Sequence, residues 1–210
     1  MKTLPRSLTL SLVFVLVLIA CTNNPTADTP ATPDNTQTGQ PADTTAKAFL
    51  PVADFIRGDI SMTESYAAGV LLKRETGDKK DSAFISQAQF KQLAAEFLPP
   101  ELDSASFHNL FTESLLANSE GDGMTFMYTT SEPRSSVRKV IVYTVAGDMA
   151  SKVNRIYMEK EVARGDTGIS QKLTWKMRQY LIIAENKQTS GGYNETVVRK
   201  AIWDPQRFGE

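Results

Sequence analysis

From Gly123 to Trp203 the chain is a succession of strand-like segments separated by turns too short for a crossover, and this limits it to one kind of sheet. The segments are GMTFMYT, VRKVIVYTV, KVNRIYMEKE, ISQKLTWK, QYLIIAE and ETVVRKAIW, divided by Gly, Asp, Ser, Asn and Pro. A parallel neighbour needs a connection of a dozen residues or more, so links of a few residues impose antiparallel pairing in chain order, a meander. In QKLTWKM, Leu173, Trp175 and Met177 alternate with Lys172, Thr174 and Lys176, the period of a strand with one wet face. Val140, Ile141, Val142, Tyr143 and Val145 are apolar on both faces, which predicts a central strand covered on its second side as well.

Before Gly123 the period is helical, with one hairpin. Pro51 suits a first helical turn, and Val52, Phe55, Ile56 and Ile60 follow at helical spacing. GVLLKRE and DSAFIS flank TGDKK, whose Gly77 and Asp78 favour a hairpin turn. Ser86 with Gln89 three places on reads as a capping box, Phe90, Leu93 and Phe97 form the stripe of that helix, and Pro99-Pro100 ends it. A further short helix is expected over Ser104 to Ala117. The expected class is α+β: a curved antiparallel meander of five to seven strands, with two or three N-terminal helices packed on one face.

The first twenty residues have the layout of an export leader: Lys2 and Arg6, an apolar stretch from Leu8, then small residues. The stretch is shorter than the ~18 to 20 residues that span a bilayer. Its last four residues, Leu18-Ile19-Ala20-Cys21, resemble the lipobox of bacterial lipoproteins. The resemblance implies cleavage between Ala20 and Cys21 and a diacylglyceryl group on the Cys21 sulfur, so that residues 1–20 form a signal peptide. Each buried acyl methylene contributes ~0.8 kcal/mol, so two or three chains hold a protein firmly on a membrane. Cys21 is the only cysteine, so no disulfide framework is available, and a thioether cannot act as a nucleophile or thiolate ligand.

Residues 22–47 contain four prolines and eight threonines but no Leu, Ile, Val or aromatic residue. Such a stretch has nothing to bury, and it reads as a disordered tether with a reach of roughly 30 Å. Residues 48–210 are then a single α+β domain, long enough for a proper core. Phe49-Leu50-Pro51-Val52 with Phe55-Ile56 and Gly58, and Leu173-Thr174-Trp175-Lys176 later, are similar to tethered lipoproteins of Bacteroidota, a group that brings no known activity. Asp43-Thr44-Thr45, Asp81-Ser82-Ala83 and Asp103-Ser104-Ala105 resemble the tripeptide that some of those bacteria O-glycosylate. By the envelope sorting rule, in which Asp after the lipidated cysteine retains a lipoprotein in the inner membrane, Thr22 implies the outer membrane, facing the periplasm or the cell surface.

Catalytic chemistry has little to draw on. His108 is the only histidine, no GxSxG elbow exists, and the usual zinc ligand sets cannot be assembled without other His or a reduced Cys. No metal, cofactor or catalytic residue is assigned. SEGDG at 119–123 lacks the ligand series of a calcium loop, and Gly191-Gly192 has no following Lys or helix to make a phosphate cradle. Two carboxylates suffice for glycoside hydrolysis, and Asp54 with Asp59, Glu101 with Asp103, and Glu159 with Glu161 are the pairs a small hydrolase of envelope polymers would use.

Charge is unevenly divided. Residues 22–133 hold 7 basic and 16 acidic residues, whereas residues 134–207 hold 14 and 7, so the helical part is acidic and the sheet basic. Lys152, Arg155, Lys172, Lys176 and Arg178 are the candidate surface for an anionic partner: lipid headgroup, acidic polysaccharide or acidic protein. Nucleic acid is excluded by a leader that sends the chain out of the cytoplasm. The leading expectation is a lipid-anchored envelope protein that binds or assembles without catalysis. Replacing Cys21→Ser is expected to abolish metabolic labelling with palmitate and to release the protein from sedimented membranes; unchanged labelling and retention would contradict the lipobox.

Overall fold

The computed structural model describes residues 49–117, 123–146 and 153–209. Helix α1 covers Val52–Tyr66 and is followed by a hairpin of β1 (Val70–Thr76) and β2 (Lys79–Ile85). Helices α2 (Gln87–Ala95) and α3 (Ser104–Leu110) come next, with a one-turn 3-10 helix at Pro100–Leu102 between them. Strands β3 (Thr112–Ala117), β4 (Met124–Thr129), β5 (Val137–Thr144), β6 (Val153–Arg164), β7 (Thr167–Lys176), β8 (Tyr180–Thr189) and β9 (Asn194–Ile202) complete the sheet.

The class is mixed α+β, built on an open, curved antiparallel sheet, but the sheet has nine described strands rather than five to seven. Its order is β2-β1-β9-β8-β7-β6-β5-β4-β3. The meander expected from Gly123 onward is present, and two additions extend it. The β1–β2 hairpin docks on the last strand through β1, with Leu71 opposite Ile202 and Thr76 opposite Val197. The segment after Leu110 is a strand, not the continuation of a helix: Phe111 is already extended at φ −117°, ψ 152°, and Thr112 to Ala117 pair with β4. The helices therefore do not all precede the sheet, since α2 and α3 occupy the connection from β2 to β3.

Local signals explain most elements. Gly77 takes the left-handed φ of 55° that the β1–β2 turn requires. At the start of α2 the Ser86 side chain accepts from the Gln89 N–H, while the Gln89 carboxamide accepts from the Ser86 N–H at 2.9 Å, a complete capping box. Lys160 donates to the Glu96 carbonyl at 3.1 Å, placing a cation at the C-terminal end of that helix, where the dipole favours it.

Register places one apolar row across the sheet: Phe126, Val142, Ile156, Trp175, Leu181 and Ala201 stand opposite one another from β4 to β9. All six are at most 2 % exposed. They share one core with Val52 and Ile56 of α1, Phe90 and Leu93 of α2 and Phe107 of α3. At ~1.5–3 kcal/mol for each large side chain removed from water, this face carries most of the stabilisation. Further along the strands the same face turns polar. There Gln171 donates to both Glu96 and Glu185, and Arg199 grips Glu96 with two N–H groups at 2.8 and 3.2 Å.

The central strand is β7, the one read as half wet, whereas β5 lies third from an edge. The second face of β5 is not covered as expected: Ile141 and Tyr143 are half-buried, shielded by neighbours along the sheet surface rather than by a further layer. The two sheet edges differ. On β2, Lys79, Lys80 and Asp81 are exposed and discourage edge-to-edge pairing, whereas β3 exposes Leu115 and Leu116. Replacing Ser86→Ala removes the acceptor for the Gln89 N–H and is expected to lower the free energy of unfolding by about 1 kcal/mol in urea titrations.

Candidate functional site

Sheet alternation sends two of the basic residues named from sequence to one spot. Across β5, β6, β7 and β8, Tyr143, Arg155, Lys176 and Tyr180 stand opposite one another on the face away from the helices. The Arg155 guanidinium sits 4.0 Å from the centre of the Tyr143 ring, and Lys200 lies 4.8 Å from that of Tyr180. Next to this row run Met127, Ile141, Tyr157, Thr174, Ile182 and Lys200, all half-buried. Beyond it Lys172 is opposite Glu159, which Lys139 also engages at 3.1 Å. The open face is thus a floor of aliphatic and tyrosine side chains under a net positive fringe.

Arg155 and Lys176 are direct cross-strand partners of like charge, an arrangement that disfavours the fold. Burial pushes the Lys176 ammonium below its ordinary range, and Arg155 and Arg207 push it further in the same direction. Its ammonium donates to the Asn154 side-chain carbonyl. The neighbouring Tyr157 phenol is pushed up to about 12 by burial and by Glu159, to which it donates at 3.0 Å.

The other residues named from sequence separate. Lys172 is on the open face but two rows further along, opposite Glu159, and Arg178 leaves the strand altogether for the β7–β8 turn. Lys152, Ala20 and Cys21 lie outside the described residues, as do the leader, the tether and the Asp43 tripeptide. His108 is exposed on α3, with Phe49 stacked on it at 4.4 Å. Among the acids, Asp54 and Asp103 both bind Arg57 at 2.9 Å on the surface. Glu101 accepts from the Ser136 N–H and hydroxyl, at 2.9 and 2.7 Å, and lies below the ordinary carboxylate range; burial opposes these bonds as the largest single effect. Glu159 and Glu161 are held by Lys139 and Arg138. Among the described residues no group of three or more His, Cys, Asp or Glu is placed to hold a metal ion, and no helix is long and apolar enough to cross a membrane.

Asp59 is different. It lies on the buried stripe of α1 with Val52, Ile56 and Thr63 and is only 3 % exposed. Its Oδ2 accepts from the Trp175 indole N–H at 2.7 Å and from the Arg178 backbone N–H at 2.9 Å. Burial raises its pKa, and these two donors oppose the rise. The turn it binds is strained: Lys176 pairs with Tyr180 around Met177, Arg178 and Gln179, and Arg178 has φ 63°, a left-handed conformation where glycine would be at ease. The Gln179 carbonyl accepts from the N–H groups of Trp203 and Asp204, at 3.0 and 3.2 Å, so the turn is tied to the end of β9.

Sequence reading passed over this cluster. Its signal was present in two places: an acid at helical spacing inside an apolar stripe, and a short turn, MRQ, without Gly, Asn or Asp. Comparison with protein-family models, with curated proteins and with solved structures finds no match.

Replacing Asp59→Ala leaves the Trp175 and Arg178 donors unmatched and is expected to cost about 2 kcal/mol of stability. Because the folded-state pKa of Asp59 is raised, its contribution diminishes as pH climbs from the unperturbed value near 3.9 through the folded one. Unfolding titrations should show the wild type losing stability relative to Asp59→Asn over that rise; a pH-independent difference would contradict it.

Proposed function

We propose that this chain is a lipid-anchored, non-catalytic binding module of the bacterial envelope, and that the open face of its sheet docks on an anionic lipid surface. The observation that carries the reading is the Arg155–Lys176 pair: two cations held directly opposite each other, with Arg207 near enough to perturb Lys176. Such a pair disfavours the isolated domain, and phosphate oxygens would relieve it. Tyr143, Tyr157 and Tyr180 suit the same partner, since tyrosines favour the headgroup level of a bilayer and each nearby Lys or Arg adds ~1 kcal/mol against anionic lipid. The lipid on Cys21 and the short tether would keep the face within reach of a membrane. A non-catalytic role is supported by the acids named from sequence, each of which is engaged in its own hydrogen bond or ion pair.

The test separates the face from the anchor by using Cys21→Ser protein. It is expected to co-sediment with phosphatidylglycerol vesicles, and far less with phosphatidylcholine vesicles, in a salt-sensitive manner. The double variant Arg155→Glu/Lys176→Glu should lose at least tenfold in affinity. Binding to polygalacturonate without affinity for the anionic vesicles would transfer the partner from lipid to polysaccharide and overturn the proposal.

A further inference from the structure

At the C-terminal end of α2 the helix-bearing face of the sheet holds a hollow of about 500 Å³, a size within the range of small-molecule sites. Two rows of side chains build it. Lys160, Gln171, Glu185 and Val197 stand opposite one another from β6 to β9, and Val162, Ile169, Lys187 and Glu195 form the next row outward. Both rows continue the alternation of Trp175 and Leu173, so they share the face of the core. One row nearer the core, Arg199 of β9 is directly opposite Arg74 of β1.

The polar groups of the hollow are held in place by one another. Arg199 donates to Glu96 at 2.8 and 3.2 Å and lies 3.7 Å from Glu185, while the Gln171 amide donates to both carboxylates, at 3.0 and 2.7 Å. Lys187 reaches Glu185 at 3.2 Å. These groups remain open to solvent: the side chains of Glu96, Glu185 and Arg199 are 26, 15 and 21 % exposed, so a bound molecule can touch them. Glu185 lies below the ordinary carboxylate range; burial, the largest single effect, opposes this, and the bonds from Gln171 and Lys187 outweigh it. It is therefore ionised at neutral pH, an acceptor for hydroxyl groups and not a proton donor.

The charges select the ligand's class. Five basic and three acidic side chains line the hollow. Glu96 and Glu185 are matched by Arg199 and Lys187, whereas Arg74, Lys160 and Arg164 form no ion pair with an acid among the described residues. Lys160 donates instead to the Glu96 carbonyl. Arg74 is exposed and faces the like charge of Arg199, and cross-strand partners have Cβ atoms only ~5 Å apart, so one carboxylate can bridge the two guanidinium groups. Val162, Ile169 and Val197 add an aliphatic floor of the kind that packs against the C–H groups of a sugar ring. We propose that the hollow binds an acidic sugar of mono- or disaccharide size, its carboxylate between Arg74 and Arg199 and its hydroxyls donating to Glu96 and Glu185. A neutral sugar leaves the cationic excess unanswered, and a carboxylate without hydroxyls offers the two acceptors no donor. The site is on the opposite face of the sheet from Arg155 and Lys176 and does not require that face to bind lipid.

The test is calorimetric titration of Cys21→Ser protein with digalacturonate, in about 0.15 M salt so that distant charges are screened. Maltose, a neutral disaccharide, and adipate, a dicarboxylate without hydroxyls, should each bind at least tenfold more weakly. Arg74→Gln, at an exposed position, should fold normally and weaken digalacturonate binding about tenfold. Lys80→Gln, which removes an exposed cation outside the hollow, and Arg155→Glu/Lys176→Glu, on the other face, should bind it as the wild type does. In ¹⁵N-labelled protein the Gln171 side-chain amide, already bonded to both carboxylates, should shift on titration. Maltose or adipate binding as tightly as digalacturonate overturns the acidic-sugar class. Undetectable binding of digalacturonate, an unmoved Gln171 amide, or equal losses in Arg74→Gln and Lys80→Gln overturn the site. Loss of binding in Arg155→Glu/Lys176→Glu alone would move the sugar to the open face and overturn it as well.

Discussion

The carboxylate of Asp59 is the point on which the arrangement turns. It links α1 to the central strand through Trp175 and to the turn that follows that strand through the Arg178 N–H, joining the helix to segments more than a hundred residues further along the chain. A buried carboxylate carries a desolvation cost, here visible as its raised pKa, and that cost is offset only while both donors stay in place. The same bond engages the backbone N–H of Arg178 in its left-handed conformation. Helix, central strand and turn are therefore positioned as one unit, to a degree that apolar packing by itself, being non-directional, would not achieve.

What was legible in the sequence was local. The capping box of Ser86 and Gln89, the Gly77 turn and the six C-terminal strands each have a signature within a few residues, and the structure contains them all. The stretch from Thr112 to Ala117 was misread because it is short and follows directly on a helix; its strand state comes from pairing with β4 rather than from its own composition. The docking of β1 on β9 joins segments some 130 residues apart and leaves no local trace. The central place of β7 was hidden for a related reason, since a strand with one polar face can still be central when the second face of the sheet is left open.

The candidate site divides along the same line. Alternation in QKLTWKM correctly separates Lys172 and Lys176 from Trp175, but only the register with β6 brings Arg155 opposite Lys176. Arg178, grouped with them by charge alone, belongs to the turn because its backbone N–H, not its guanidinium, is what the fold uses first. Asp59 shows the converse error: counted as one acid among many, it is set apart by its burial, which its place at +3 from Ile56 on the apolar stripe foreshadows.

At the other end of the molecule the chain enters the domain at Phe49 and Leu50, and this entry is clamped. Phe49 packs against Phe107, His108 and Tyr128, while the Leu50 N–H donates to the Tyr128 hydroxyl, which itself donates to Glu113. Mechanically, traction on the chain ahead of Phe49 is shared by this clamp: α3 takes it through Phe107 and His108, and the edge strands β4 and β3 take it through Tyr128 and Glu113, before it passes along the chain into α1.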